Sequence, residues 1–160
     1  MSYRIGSGVD FHQLAEGRGL WLGGVLIPHS KGAVGHSDAD VLLHALCDAL
    51  LGALALGDIG LHFPNTDPAY KGIDSKLLLQ KTWSLVQAKG YRVVNIDSTV
   101  CLEEPKIMKY APEMRTRIAA ILEMSAEDIS IKATTTERLG FAGRGEGLMA
   151  FATVLLVRSL

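Results

Sequence analysis

The sequence predicts an α+β fold, a mixed four-stranded sheet with helices over one face and the other face left for packing between subunits. Three observations predict it. β-Branched and alternating apolar segments open the chain, cross its middle and close it. Three helical stretches with recognisable capping signals lie between them. No repeat, low-complexity tract or linker divides the 160 residues, so one domain over 1–160 is expected, large enough to bury roughly two thirds of its unfolded surface.

The elements follow in order. Residues 3–12 read as a strand in which Gly6 and Gly8 permit close backbone approach. The glycine-rich segment from Gly17 to Gly35 carries a short hairpin, Leu20-Trp21-Leu22 against Val25-Leu26-Ile27. Ser37 with Asp40 three residues on resembles a capping box and opens a helix to about Leu56, ended by Gly57. Asp40, His44 and Asp48 follow i, i+4, i+8 and so share one polar stripe, which in so apolar a helix faces a site rather than bulk water. Asp58 to Ile73 is a long loop punctuated by Gly60, Pro64, Pro68 and Gly72; such loops are functional or disordered, and Phe63 and Tyr70 argue against disorder. A second helix runs from the cap Asp74 to Lys89, with Gly90 just beyond. Residues 91–103 form a strand, Pro105 to Tyr110 a turn, and Pro112 starts a third helix through Leu122. Ile129 to Thr134 is a strand, Thr135 to Gly147 a loop and Leu148 to Val157 the last, buried strand.

Net charge is −1, so nothing global attracts nucleic acid or anionic lipid, and any anionic ligand must be held locally. Cys47 and Cys101 fall inside apolar patterns and read as free buried thiols of a reducing compartment. The N-terminal residues lack an apolar leader or transit pattern, which reads as cytoplasmic, and the most apolar stretch, Val41 to Leu56, is too short to span a bilayer. Apolar content of 48% against 21% charged suggests surface reserved for other subunits.

Chemistry concentrates in four segments. Asp10 and His12, at i and i+2 of a strand, project to one face, and a helix laid against that strand can add His44. One carboxylate and two imidazoles suit zinc, and three protein ligands leave the fourth tetrahedral position open. An Asp-x-His pair alone is common on surfaces, and His44 bonded to Asp40 or Asp48 is the structural alternative; such a carboxylate is equally the usual outer partner of a zinc-bound imidazole. His36-Ser37 before the helix offers either an anion cradle or a plain cap. Thr134-Thr135-Thr136-Glu137, leaving a strand into a loop with Phe141, Arg144 and four glycines from Gly140 to Gly147, offers hydroxyls and backbone donors to phosphate, and a carboxylate to a magnesium ion completed by phosphate oxygens and water. Leu102-Glu103-Glu104-Pro105-Lys106-Ile107-Met108 reads by itself as a solvated turn, although such a bend could present backbone groups to a base with Lys106 near a phosphate. No Gly-x-Ser-x-Gly, Walker or dinucleotide fingerprint is present.

Together Gly8-Val9-Asp10-Phe11-His12, His36-Ser37-Asp38-Ala39-Asp40 with His44, Gly57-Asp58-Ile59-Gly60, His62-Phe63-Pro64-Asn65-Thr66-Asp67, Pro105-Lys106 and Ala133 through Gly147 resemble the 2-C-methyl-D-erythritol 2,4-cyclodiphosphate synthase family of the non-mevalonate isoprenoid pathway. The resemblance covers essentially the whole chain. Asn65 departs from it, standing where many members carry aspartate. It implies a cytidine diphosphate-linked substrate, 4-diphosphocytidyl-2-C-methyl-D-erythritol 2-phosphate, whose 2-phosphate attacks the β-phosphorus, releasing CMP and closing a cyclic diphosphate. It implies Zn²⁺ on Asp10, His12 and His44, and Mg²⁺ or Mn²⁺ on Glu137. His36 and Thr135 would polarise phosphates. Ser37, Asp58, Ile59, Gly60, Phe63, Pro64, Asn65, Thr66 and Asp67 would hold the methylerythritol part, Leu102 to Met108 with Thr134 would surround the cytidine diphosphate, and Thr136 would also contact substrate. Phe141 and Arg144 would belong to the loop completing the site. It further implies a homotrimer with sites between neighbours. A zinc-dependent phosphohydrolase and a non-catalytic nucleotide-binding trimer are the rival classes, told apart by whether the product is cyclic, linear or absent.

Overall fold

The computed structural model describes residues 2–159. Its main sheet has five strands, one more than the four expected: β1 (Tyr3–Glu16), β4 (Lys31–Val34), β5 (Tyr91–Cys101), β6 (Ile129–Thr134) and β7 (Gly147–Arg158), ordered β4-β1-β7-β5-β6. The pairs are antiparallel except β5 with β6, so the sheet is mixed. The extra strand is β4, whose four residues Lys-Gly-Ala-Val carry no readable alternation. It exists because β1 runs four residues beyond its predicted end and Gln13 to Glu16 pair with Val34 to Lys31. Between them β2 (Leu20–Leu22) and β3 (Val25–Ile27) form the predicted hairpin, turned by Gly23 and Gly24 at positive φ as a two-residue turn with right-handed strand twist requires.

Helix α1 (Val41–Ala53) lies on β1 and β7, and α3 (Ser75–Ala88) and α4 (Ala111–Leu122) continue that layer over β5 and β6. The closeness of α1 to β1 is set by glycine. A Cβ at Gly6 would sit 2.0 Å from the Ala49 carbonyl oxygen, and one at Gly8 would sit 2.0 Å from that of Ala45. Gly6 and Gly8 thus meet Ala45, Ala49 and Ala53, a small-residue stripe at helical spacing, and the helix backbone rests almost on the strand. On the same sheet face Leu148, Ala150, Ala152, Val154 and Leu156 of β7 are buried with Leu79, Trp83, Met114 and Ile118 from the other two helices. The opposite face carries an uncovered apolar ladder: Ile5 is 71% and Phe11 52% exposed, with Tyr3, Val9 and Phe151 beside them.

Caps came out largely as read. Asp74 accepts from the Lys76 amide at the start of α3, and Gly90 follows its end at positive φ. The capping-box expectation at α1 is corrected. Asp40 itself is the N-cap, accepting from the Leu43 amide, while Ser37 lies outside the helix. The loop from Asp58 to Ile73 holds the short helix α2 (Ile59–His62) and a 3₁₀ turn at Pro68–Tyr70, and the glycine loop holds α5 (Gly140–Gly143). No helix among the described residues is long and apolar enough to cross a membrane.

Candidate active site and metal cluster

Asp10 and His12 project from β1 toward the helix layer, and the close seat of α1 brings His44 to them. Asp10 Oδ2 lies 2.9 Å from His12 Nε2 and 3.1 Å from His44 Nδ1, and the two ring nitrogens are 3.2 Å apart. These three residues are the one cluster of potential metal ligands among the described residues, their ligand atoms all within 4.8 Å of one another. Burial opposes ionisation of Asp10 and is the largest single influence, but the hydrogen bonds and charge of His12 and His44 outweigh it and hold the carboxyl at about 2. Burial likewise works against a charged His12, and the Asp10 carboxylate more than reverses it, raising that imidazole above its usual value.

The donor set fits a divalent cation. His12 Nδ1 donates to the Val34 carbonyl oxygen at 2.9 Å, so that in the neutral imidazole Nε2 carries the lone pair and faces Asp10. Strand β4 therefore orients this ring as well as closing the sheet edge. With both imidazoles neutral, three ligand atoms converge on one point, the arrangement that a cation satisfies in place of the shared protons.

The expected polar stripe of α1 is broken up. Asp40 is wholly buried, and its carboxylate accepts from the amides of Gly23 at 3.0 Å, Gly24 at 2.7 Å and Leu43 at 3.0 Å. It ties the β2–β3 turn to the helix and fills the helix end, so the anion-cradle reading of that terminus does not hold. Asp48 accepts from the Ile59 amide at 2.7 Å and so seats α2. Neither carboxylate bonds His44. The groups at its Nε2 are the hydroxyls of Ser75, 2.9 Å away, and Ser37, 3.1 Å away.

A cavity of about 240 Å³ opens beside the cluster, lined by His36, Ser37, Ile59, Gly60, Phe63 and Asn65 as well as the ligands. Tyr70, Ile73 and Leu78 also line it and were missed by the sequence reading; the aromatic pair Phe63 and Tyr70, ring centroids 5.5 Å apart, was the available signal. Asp58 and Asp67 also act as caps, accepting from the amides of Leu61 and Ala69, and Pro64 and Thr66 lie exposed outside this lining.

A second cavity, about 220 Å³, shares no residue with the first. Leu102, Glu103, Pro105, Lys106, Ile107 and Met108 line it with Ala133, Thr134 and Thr135, whereas Glu104 is exposed and outside the lining. The bend is therefore concave, not the plain solvated turn that it reads as alone. Beyond it Thr135 Oγ1 donates to Glu137 Oε1 and accepts from the Glu137 amide, and Thr136 donates to the Leu139 carbonyl. Glu137 is exposed and belongs to no ligand cluster. Phe141 packs on Phe11 at 6.1 Å between centroids, and Arg144 pairs with Glu146 at 2.8 Å, both away from the first cavity.

Fold and site together define a class, an α+β enzyme with an Asp-His-His cluster suited to a metal at one end of its sheet. The chain belongs to the YgbB family, whose model matches residues 3–157. It is 62% identical over 156 residues to a Bacteroides thetaiotaomicron protein named 2-C-methyl-D-erythritol 2,4-cyclodiphosphate synthase, covering 98% of each chain. A solved structure of a protein of that name in a CDP-bound form is similar at a TM-score of 0.89 and 39% identity, over 96% of this chain and 100% of that one. The bifunctional IspDF of Campylobacter jejuni is similar at 0.94 and 41% identity, with 98% of this chain matching 42% of that longer one.

Proposed function

We propose that the protein converts 4-diphosphocytidyl-2-C-methyl-D-erythritol 2-phosphate into 2-C-methyl-D-erythritol 2,4-cyclodiphosphate and CMP, as one domain over residues 1–160 within a homotrimer. The family membership supports the reaction, and the observation that carries it is the convergence of Asp10, His12 and His44 beside a cavity lined by His36 and Ser37. Asp10, His12 and His44 would hold Zn²⁺, and Glu137 with phosphate oxygens would hold Mg²⁺ or Mn²⁺; when bound, these ions supply the positive charge that lets two phosphates approach.

The nucleophile is already an anion, so the reaction needs no strong general base. One P–O bond forms between the 2-phosphate and the β-phosphorus while the bond to CMP breaks. The side chains serve to align and to screen, the two contributions that dominate phosphoryl transfer. His36 and Thr135 donate to phosphate oxygens. Ser37 and the segment from Asp58 to Asp67 hold the methylerythritol part, whose walls Ile59 and Phe63 exclude water. The bend from Leu102 to Met108 with Thr134 takes the cytidine diphosphate; that a similar protein has been solved in a CDP-bound form supports a CDP-linked substrate.

Two features support assembly with neighbouring chains. The two cavities share no lining residue, and the open sheet face is apolar from Tyr3 through Phe11 to Phe151. Neighbouring chains docked through that face would bring one chain's first cavity to the next chain's second. The free buried thiols Cys47 and Cys101 suit a reducing cytoplasm. Phosphorus NMR of the product formed with both metals present is the test. A cyclic diphosphate with CMP is expected; a linear product would make the protein a phosphohydrolase, and binding without turnover a nucleotide-binding module.

A further inference from the structure

His44 presents Nδ1 to Asp10 and His12, and Nε2 to two hydroxyls, so its usefulness as a ligand depends on which nitrogen carries the proton. Ser75, the first residue of α3, is wholly buried and doubly held by Asp38. Its amide donates to Asp38 Oδ2 at 3.0 Å, and its hydroxyl donates to Asp38 Oδ1 in a short contact. A serine hydroxyl has a single proton. With that proton committed to the carboxylate, Ser75 Oγ turns a lone pair toward His44 Nε2 at 2.9 Å. A bare Nε2 would set two lone pairs against each other at that separation, whereas an Nε2–H completes the chain from imidazole to hydroxyl to carboxylate. Ser37 Oγ, which accepts from the Ala39 amide, stands 3.1 Å from the same nitrogen and is compatible with the same proton.

Resting on the reading of Asp10, His12 and His44 as metal ligands, we infer that Asp38 and Ser75 are positioning residues that fix the proton of His44 on Nε2 and so keep Nδ1 free to bind the metal. The same pair ties the site together. The Asp38 amide donates to the Ile73 carbonyl at 3.1 Å and the Gly72 amide to that of His36 at 2.6 Å, so the His36–Asp38 segment is laced to the start of α3. The ligand's outer hydrogen bond and the cavity wall carrying His36 thus share one anchor. The two histidines are also treated differently: the outer N–H of His12 goes to a backbone carbonyl, which substitution cannot remove, whereas that of His44 depends on two side chains. Loss of an outer partner typically costs metal affinity by about 10- to 100-fold.

The test is zinc competition between the loaded protein and a chromophoric chelator, with the ring nitrogens of His44 followed by ¹⁵N NMR. Ser75→Ala and Asp38→Asn should each weaken zinc binding by about 10- to 100-fold, and Ser75→Thr, which keeps the hydroxyl, should recover part of it. In the unsubstituted protein His44 should show a hydrogen-bonded, slowly exchanging Nε2–H that becomes fast-exchanging in Ser75→Ala. A His44 proton on Nδ1 in the unsubstituted protein overturns the inference whether or not the variants fold. Parent-like zinc affinity in both Ser75→Ala and Asp38→Asn overturns it as well, provided His44→Ala loses zinc. Zinc retained by His44→Ala would instead strike the ligand reading itself.

Discussion

At the Asp10, His12 and His44 corner each outer imidazole nitrogen has a partner and the three inner atoms converge, whereas along the Thr134–Glu146 loop the polar groups bond mainly to one another. The corner is half-buried, built on β1 and α1, and held from behind by β4 and α3. The loop is exposed, turns through Glu137 and Arg138 at positive φ, and spends its hydroxyls on local bonds. The contrast teaches that one set of polar groups is gathered by the packing of separate elements, while the other is held within its own loop. A cluster drawn from a strand and a helix must be assembled by folding, whereas a loop whose polar groups bond one another needs no distant partner and keeps the conformational freedom of its glycines.

The largest expected effect separates the halves directly. His44→Ala should lose tightly bound zinc by more than the ~100-fold typical of outer-partner loss and fall to background activity, while Glu137→Gln keeps zinc but loses its response to Mg²⁺ or Mn²⁺ and with it turnover, an amide being a poor ligand for a hard cation. Metal analysis with a divalent-ion titration reads both, and zinc missing from Glu137→Gln would break the division. Mixing the two inactive variants is the next test. If sites form between chains, random exchange in a trimer pairs an intact zinc half with an intact Glu137 half at about one site in four, restoring about a quarter of parent activity. No recovery after verified exchange would put both halves on one chain.

Smaller effects probe how folding finishes the corner. Gly8→Ala places a Cβ 2.0 Å from the Ala45 carbonyl oxygen, so α1 must lift from β1. A cost of about 1–3 kcal/mol in chemical denaturation is expected, as for overpacked cores, with weakened zinc binding; unchanged values in both would mean that the helix seat does not position His44. Asp40→Asn keeps one acceptor oxygen but turns an amide NH2 toward a backbone N–H, and should cost about 1–3 kcal/mol, as for a buried donor left unpaired, yet leave zinc binding near that of the parent because Asp40 bonds the Gly23, Gly24 and Leu43 amides rather than His44. Zinc loss in that variant without loss of stability would restore Asp40 to the site.

Local signals carried much of this protein. Asp74 and Gly90 bracket α3, Pro112 marks the start of α4, and the Asp10-x-His12 spacing with His44 named the cluster before any fold was in view, because strand period, cap chemistry and ligand softness are properties of neighbouring residues. Three features escaped for one reason. Strand β4 has no pattern of its own and exists through pairing with Gln13 to Glu16. Asp40 and Asp48 lie at ligand-like spacing on α1, but their amide partners come from the β2–β3 turn and from α2. Ser75 and Asp38, separated by 37 residues, meet at His44 only because α3 packs against α1. The sequence by itself determined most of the elements, the ligand types and the family resemblance. Which carboxylate caps, which strand backs His12 and which hydroxyl holds His44 were decided by tertiary packing, since a buried polar group takes whichever partner the close-packed elements leave within reach.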